Sequence, residues 1–119
     1  FLVVAEKDFS DTQSLQTLTM KVWESKPLIT SAEVQEIFVA TFQDQVPLVN
    51  MEPDLILTNP TQGEYTKKFP PTDENGFTFL EVFPIAARNG TIIPYKVCLQ
   101  SITEEQACIE ESYLIWGNP

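Results

Sequence analysis

Turn signals interrupt this chain roughly every 8–15 residues, and that spacing leaves room for strands rather than long helices. The strongest lies at Thr72-Asp73-Glu74-Asn75-Gly76, where Asn-Gly tolerates positive φ. Asn89-Gly90 is a second. Asn59-Pro60, Thr61-Gln62-Gly63 and Pro70-Pro71 break the chain upstream of both. The segments left over are short and apolar. Around Leu18, Met20 and Val22, apolar residues alternate with Thr19, Lys21 and Trp23, a period of two that marks a strand with one buried face. Leu55-Ile56-Leu57 is a short apolar run. Residues 65–69 look extended, and residues 77–83 (FTFLEVF) are aromatic and β-branched, as strands prefer. Residues 91–99 and 108–116 complete the set. The pattern predicts an all-β, antiparallel sandwich of about seven strands. Residues 1–14 are an N-terminal extension or a first edge strand, and residues 15–119 form a single domain.

Two segments also fit helices. In residues 31–43, Val34, Ile37, Phe38 and Phe42 sit at helical spacing and Ser31 is placed to cap. In residues 103–116, Thr103 and Gln106 have capping-box spacing. A small α+β ligand-binding domain is therefore the architectural alternative. Strands are favoured because Ile37-Phe38-Val39 is dense in β-branched and aromatic side chains, and because the flanking strands need a partner sheet.

Composition narrows the chemistry. The 119 residues carry 17 Asp or Glu, 7 Lys or Arg and no His, for a formal charge of -10. Such an excess of acid argues against nucleic acid and anionic membrane surfaces, which need clustered cations. Without His, a Ser-His-Asp triad, a Cys-His pair and an imidazole-ligated zinc are all excluded within these residues. Paired carboxylates run glycoside hydrolysis in other proteins, but nothing here marks one carboxylate as buried. No apolar run reaches 18 residues, so no transmembrane helix is expected. No basic stretch precedes an apolar run, so no signal peptide is expected either. The start at Phe1, in mid-pattern, reads as a fragment or a processed chain. Neither a catalytic residue nor a cofactor is expected.

Four candidate sites remain. Cys98 and Cys108 lie at the end of one expected strand and the start of the next. If residues 99–107 make the hairpin connection, a register centred on Thr103 sets the two thiols opposite each other, close enough for a disulfide. A disulfide would indicate an oxidising compartment. The oxygen ligands best grouped for calcium are Asp73, Glu74 and Asn75, with Asp44 and Asp54 near them in a sandwich. The plainer reading of that group is an Asx-type turn with solvated carboxylates. Glu104-Glu105 and Glu110-Glu111 read as solvent-facing charge. Trp23, Tyr65, Tyr95, Tyr113 and Trp116 offer a carbohydrate-stacking platform if several share one exposed face; otherwise they are core. Asn89-Gly90-Thr91 is a glycosylation sequon, or simply a turn.

One stretch resembles a family. Asp44-Gln45-Val46-Pro47-Leu48 precedes the strand at Leu55-Ile56-Leu57, and Pro71-Thr72-Asp73-Glu74-Asn75-Gly76-Phe77-Thr78-Phe79-Leu80 follows. These residues resemble bacterial immunoglobulin-like domains of cell-surface and secreted proteins, of the invasin and macroglobulin-like kind. Gln45 departs from the pattern, which often has Gly there. The resemblance covers roughly residues 15–116. It implies an extracellular or surface module without catalytic residues, a spacer or adhesion domain whose partners are neighbouring domains or other proteins.

Overall fold

A computed structural model describes residues 2–6, 17–100 and 106–117, with residues 2–6 and 17 given by their backbone alone. The described residues are all-β. In chain order the strands are β1 (Leu2–Glu6), β2 (Thr17–Glu24), β3 (Leu28–Ile29), β4 (Gln35–Gln43), β5 (Val46–Pro47), β6 (Asp54–Asn59), β7 (Gly63–Lys68), β8 (Phe77–Val82), β9 (Thr91–Gln100) and β10 (Gln106–Ile115). The seven expected strands are the longer ones from β2 onward. The chain adds β1 and two strands of two residues each. Sheet A runs β1-β2-β4, with β8 and β5 sharing the far side of β4. Sheet B runs β3-β10-β9-β6-β7. All pairings are antiparallel except β3 with β10. The two sheets pack face to face as an immunoglobulin-like sandwich.

The alternation in each strand sets what faces the core. Met20 and Val22 of β2, Ile37 and Val39 of β4, and Leu80 and Val82 of β8 point from sheet A toward Leu55, Leu57, Ile93, Val97 and Ile109 of sheet B. Phe69 and Ile85, from connecting segments, fill in the same core.

The helical alternative for residues 31–43 fails. That segment forms β4 and the turn before it, and Ile37 and Phe38 face opposite ways rather than sharing a helix stripe. The reason is tertiary: β4 is hydrogen-bonded on both sides, to β2 and to β8. Its position next to a turn is held by Gln35, whose buried amide donates to Lys26 O at 2.7 Å and accepts from Lys26 N at 3.2 Å. Thr103, the expected cap of the second helix, lies outside the described residues, and Gln106–Ile115 is the strand β10.

Two turns carry the segment that suggested a family. Asp44 (φ 51°) and Gln45 (φ 70°) form a two-residue connection between β4 and β5. Positive φ at both central positions is the tight hairpin geometry that follows the natural strand twist. Asn and Gly adopt it readily, and Gln45 does so against its side-chain sterics. At the other turn, Asp73 Oδ1 accepts from Asn75 N (2.9 Å) and Phe77 N (3.0 Å), and Gly76 N donates to Asp73 O (2.8 Å). Thr72 anchors this turn. Its hydroxyl donates to Leu48 O at 2.6 Å and accepts from Met51 N at 3.0 Å.

Candidate functional site

Register places the outward side chains of sheet A on a grid. Trp23 lies opposite Phe38 across β2 and β4, and Phe38 lies opposite Phe79 across β4 and β8. The neighbouring row is Lys21, Ala40 and Phe77. On the far side of the aromatic row, Glu36 lies opposite Glu81. A continuous aromatic cluster therefore stands on a solvent-facing sheet surface. Ring centroids are 5.5 Å apart for Trp23 and Phe38, 5.8 Å for Phe38 and Phe77, and 5.8 Å for Phe38 and Phe79. Phe79 is 44% exposed.

The orientation of these rings matters. Trp23 and Phe38 are within 22° of parallel, and Phe38 and Phe77 within 23°. Rings lying side by side in one plane cannot approach this closely, so these overlap in an offset stack. The rings pack against one another across the strands, with Phe79 tilted 37° to Phe38.

The five aromatic residues singled out in the sequence do not gather. Tyr95 and Tyr113 are core, with centroids 6.2 Å apart between the sheets. Tyr65 makes an edge contact with Phe83 at 5.0 Å. Trp116 sits over Gly90 at the other side of the fold. Only Trp23 joins the outer cluster. Phe38, Phe77 and Phe79 are what sequence reasoning missed. Both alternating sets in β4 and β8 are apolar, so periodicity could not say which faces out. The register with β2 was the missing information.

The cysteines do meet. Cys98 and Cys108 are directly paired in the β9–β10 ladder and form a disulfide, with Cα atoms 4.1 Å apart. It lies on the outer face of sheet B, away from the core. The ten paired positions of this hairpin fix the opposition of the two residues.

The calcium candidates do not converge on a cation. Asp73 Oδ1 is engaged by two backbone N–H groups, and Glu74 and Asn75 are exposed. Asp54 pairs with Lys68 at 3.0 Å. Among the described residues, no group of three or more His, Cys, Asp or Glu side chains could hold a metal ion.

One charge assignment needs correction. Glu104 and Glu105 lie outside the described residues and Glu110 is exposed, but Glu111 turns inward beside Tyr95, its ladder partner. The inward set of β10 is Ala107, Ile109, Glu111, Tyr113 and Ile115, because the alternation from Ile109 to Tyr113 carries Glu111 to the inner face. Across the sandwich, the Tyr95 hydroxyl donates to Glu24 Oε1 at 2.7 Å. Burial, together with the Glu24 carboxylate, raises the Glu111 carboxyl above the usual carboxylate range. Burial pushes the Tyr113 hydroxyl up to about 12. Burial and the bond to Glu24 raise Tyr95 further. Glu111 Oε2 and the Tyr113 hydroxyl are shielded from solvent and have no hydrogen-bond partner among the described residues. This is a polar patch between the two sheets, formed by Glu24, Tyr95, Glu111 and Tyr113.

No helix among the described residues is long and apolar enough to cross a membrane. No protein-family model matches the chain, and no curated protein matches it significantly.

Proposed function

We propose that this domain is a non-catalytic interaction module of a secreted or surface-anchored protein, and that it makes its contacts with neighbouring domains or protein partners through the outer face of sheet A. The aromatic row Trp23–Phe38–Phe79, with Phe77 beside it, carries the proposal. Large rings on a solvent-facing sheet lose more by exposure than polar residues would, and contiguous apolar surface of this kind marks contact sites. The disulfide fits an oxidising, extracellular setting. The absence of His in the sequence fits a domain that moves no proton. The turns at Asp44-Gln45 and Asp73–Gly76 carry the resemblance to bacterial immunoglobulin-like surface domains. A protein partner is favoured over a glycan because the rings are stacked on one another, whereas sugar rings pack on exposed ring faces.

A photo-cross-linking residue at position 79 tests this, with one at position 66 on β7 as control. The expected result is a recurrent polypeptide adduct at 79 that is absent at 66, and no saturable binding when polysaccharides are titrated. Saturable glycan binding that is lost in Phe79→Ser would replace this reading with a carbohydrate-binding one. Equal cross-linking at 79 and 66 would remove the contact face altogether.

A further inference from the structure

Among the described residues, β8 is an outermost strand of sheet A and pairs only with β4. The Thr41 N–H donates to Gly76 O at 2.8 Å. In an antiparallel ladder, bonded and non-bonded pairs alternate. Counting on from Gly76, residues Thr78, Leu80 and Val82 turn their main-chain groups toward β4. Phe77, Phe79 and Glu81 turn theirs to the open edge. The turn closes Phe77: its N–H donates to Asp73 Oδ1, and its carbonyl accepts from Asp73 N. Phe79 and Glu81 remain, their outward backbone groups without a hydrogen-bond partner among the described residues and their side chains on the outer face.

The charges at this edge are unusual. Glu81 lies directly opposite Glu36, an arrangement that destabilises a sheet. Neither carboxylate is in an ion pair among the described residues. Lys21, on the same face, holds its ammonium over the Phe42 ring, 5.8 Å from the centroid.

We propose that the β8 edge accepts an extended, basic segment of a partner protein, which joins sheet A as a further strand. It would set an Arg or Lys beside Glu81 and Glu36, and an apolar residue two positions away beside Phe79. Main-chain pairing supplies affinity in this mode, and alternate side chains supply selectivity. The cation relieves the Glu36–Glu81 repulsion, so charge complementarity comes from a defect already in the sheet. A second copy of this chain is the wrong occupant: β8 contains no Lys or Arg, and each copy carries a net -10. The inference rests on the contact face proposed above and names what fits it.

The test is fluorescence anisotropy with labelled octapeptides of alternating Val and Thr, carrying Arg, citrulline or Glu at one central position. The Arg peptide is expected to bind saturably and to weaken as salt rises. The citrulline peptide should bind about tenfold more weakly and the Glu peptide not at all. Glu81→Lys should lose about tenfold or more, and Glu81→Gln less. Glu64→Lys on β7 should bind as the parent does. N-methylation of the peptide amides facing β8 should abolish binding, and N-methylation of the opposite edge should not. Circular dichroism on each variant separates lost binding from lost fold. Failure of the Arg peptide, equal binding of Arg and citrulline peptides, or indifference to N-methylation would overturn strand addition. If cross-linking at 79 persists despite that failure, the contact face stands and only its occupant is wrong; if cross-linking also fails, both readings fall.

Discussion

Gly76→Ala should be far more damaging than Gly63→Ala, although both glycines have positive φ, +76° and +88°. The backbone term is common to the two. A side chain in the left-handed region costs about 1–2 kcal/mol, and the stiffer unfolded chain returns about 0.4–1 kcal/mol of that. Gly63→Ala adds nothing else, since no atom lies within 4 Å of the new methyl. Its net loss should be about 1 kcal/mol. At Gly76 the methyl runs into the Thr41 carbonyl oxygen and comes within 3.3 Å of both Leu48 N and Pro47 Cβ. That carbonyl cannot easily retreat. It accepts from Leu48 N at 3.0 Å, while Thr41 N holds Gly76 O at 2.8 Å. Overpacking against fixed backbone adds about 1–3 kcal/mol, for a total near 2–4 kcal/mol. Urea unfolding followed by Trp fluorescence measures the difference, with the m-value as a check that the denatured state is unchanged. Losses that agree within about 0.5 kcal/mol would refute the reasoning. They would show that the turn at Asp73–Gly76 is not locked onto β4.

Gln45→Gly removes the side chain from a positive-φ position and should stabilise by up to about 1 kcal/mol, read as a rise in Tm; a fall would mean that Gln45 makes a compensating contact. Reducing Cys98–Cys108, which are 10 residues apart, should cost about 2–3 kcal/mol on the chain-entropy model while circular dichroism stays β-rich; a loss of the β spectrum would mean that the bond, not the ladder, sets the hairpin register. Glu81→Lys turns a like-charge pair into an opposite pair and should raise stability by up to about 1 kcal/mol at low salt, with the gain fading as salt rises; an unchanged melting curve would mean that the carboxylates avoid each other. Glu111 has a folded-state pKa above its unfolded value, so the folded chain holds its proton more tightly and stability falls as pH rises from about 4.5 through the folded value. Glu111→Gln should therefore stabilise at neutral pH and lose its advantage in acid, in a pH series of urea midpoints; an advantage independent of pH would refute this assignment.

Much of the architecture was legible where local chemistry allowed one answer. Thr72 to Gly76 could only be a turn, because Asp73 satisfies the N–H groups of Asn75 and Phe77 and Gly76 takes the positive φ. The disulfide was legible only on condition that residues 99–107 make the hairpin connection, and the β9–β10 register, with Cys98 opposite Cys108, meets that condition. In β2, the alternation of Met20 and Val22 with Lys21 fixed the buried face. In β4 and β8 it did not. Glu36-Phe38-Ala40-Phe42 competes with Gln35-Ile37-Val39-Thr41 in apolar character, and the buried set contains Gln35 and Thr41. Only pairing with β2, whose polarity is unambiguous, decides the matter. Glu111 was misplaced for the converse reason: a charged residue reads as exposed, yet the strand's period of two carries it inward between Ile109 and Tyr113.

The positions that defeated sequence reading are also the ones where the fold breaks its own rules. A sheet that needed only to be stable would put Thr or Lys where Phe38 and Phe79 stand, and an opposite charge where Glu36 faces Glu81. It would blunt the β8 edge with a Lys or a Pro, as exposed edges usually are. β8 has neither, and its outward residues are two Phe and a Glu. Each departure alone is an ordinary surface accident. Together they occupy one patch, in which the same residues supply edge backbone groups, exposed rings and unneutralised charge. Local inconsistency of this kind concentrates where a surface is shaped by something other than folding. A partner strand carrying a cation would correct all three at once. Glu81→Lys should therefore raise stability and weaken binding about tenfold or more in a single substitution, an opposition that neither a merely imperfect surface nor a generic sticky patch would produce.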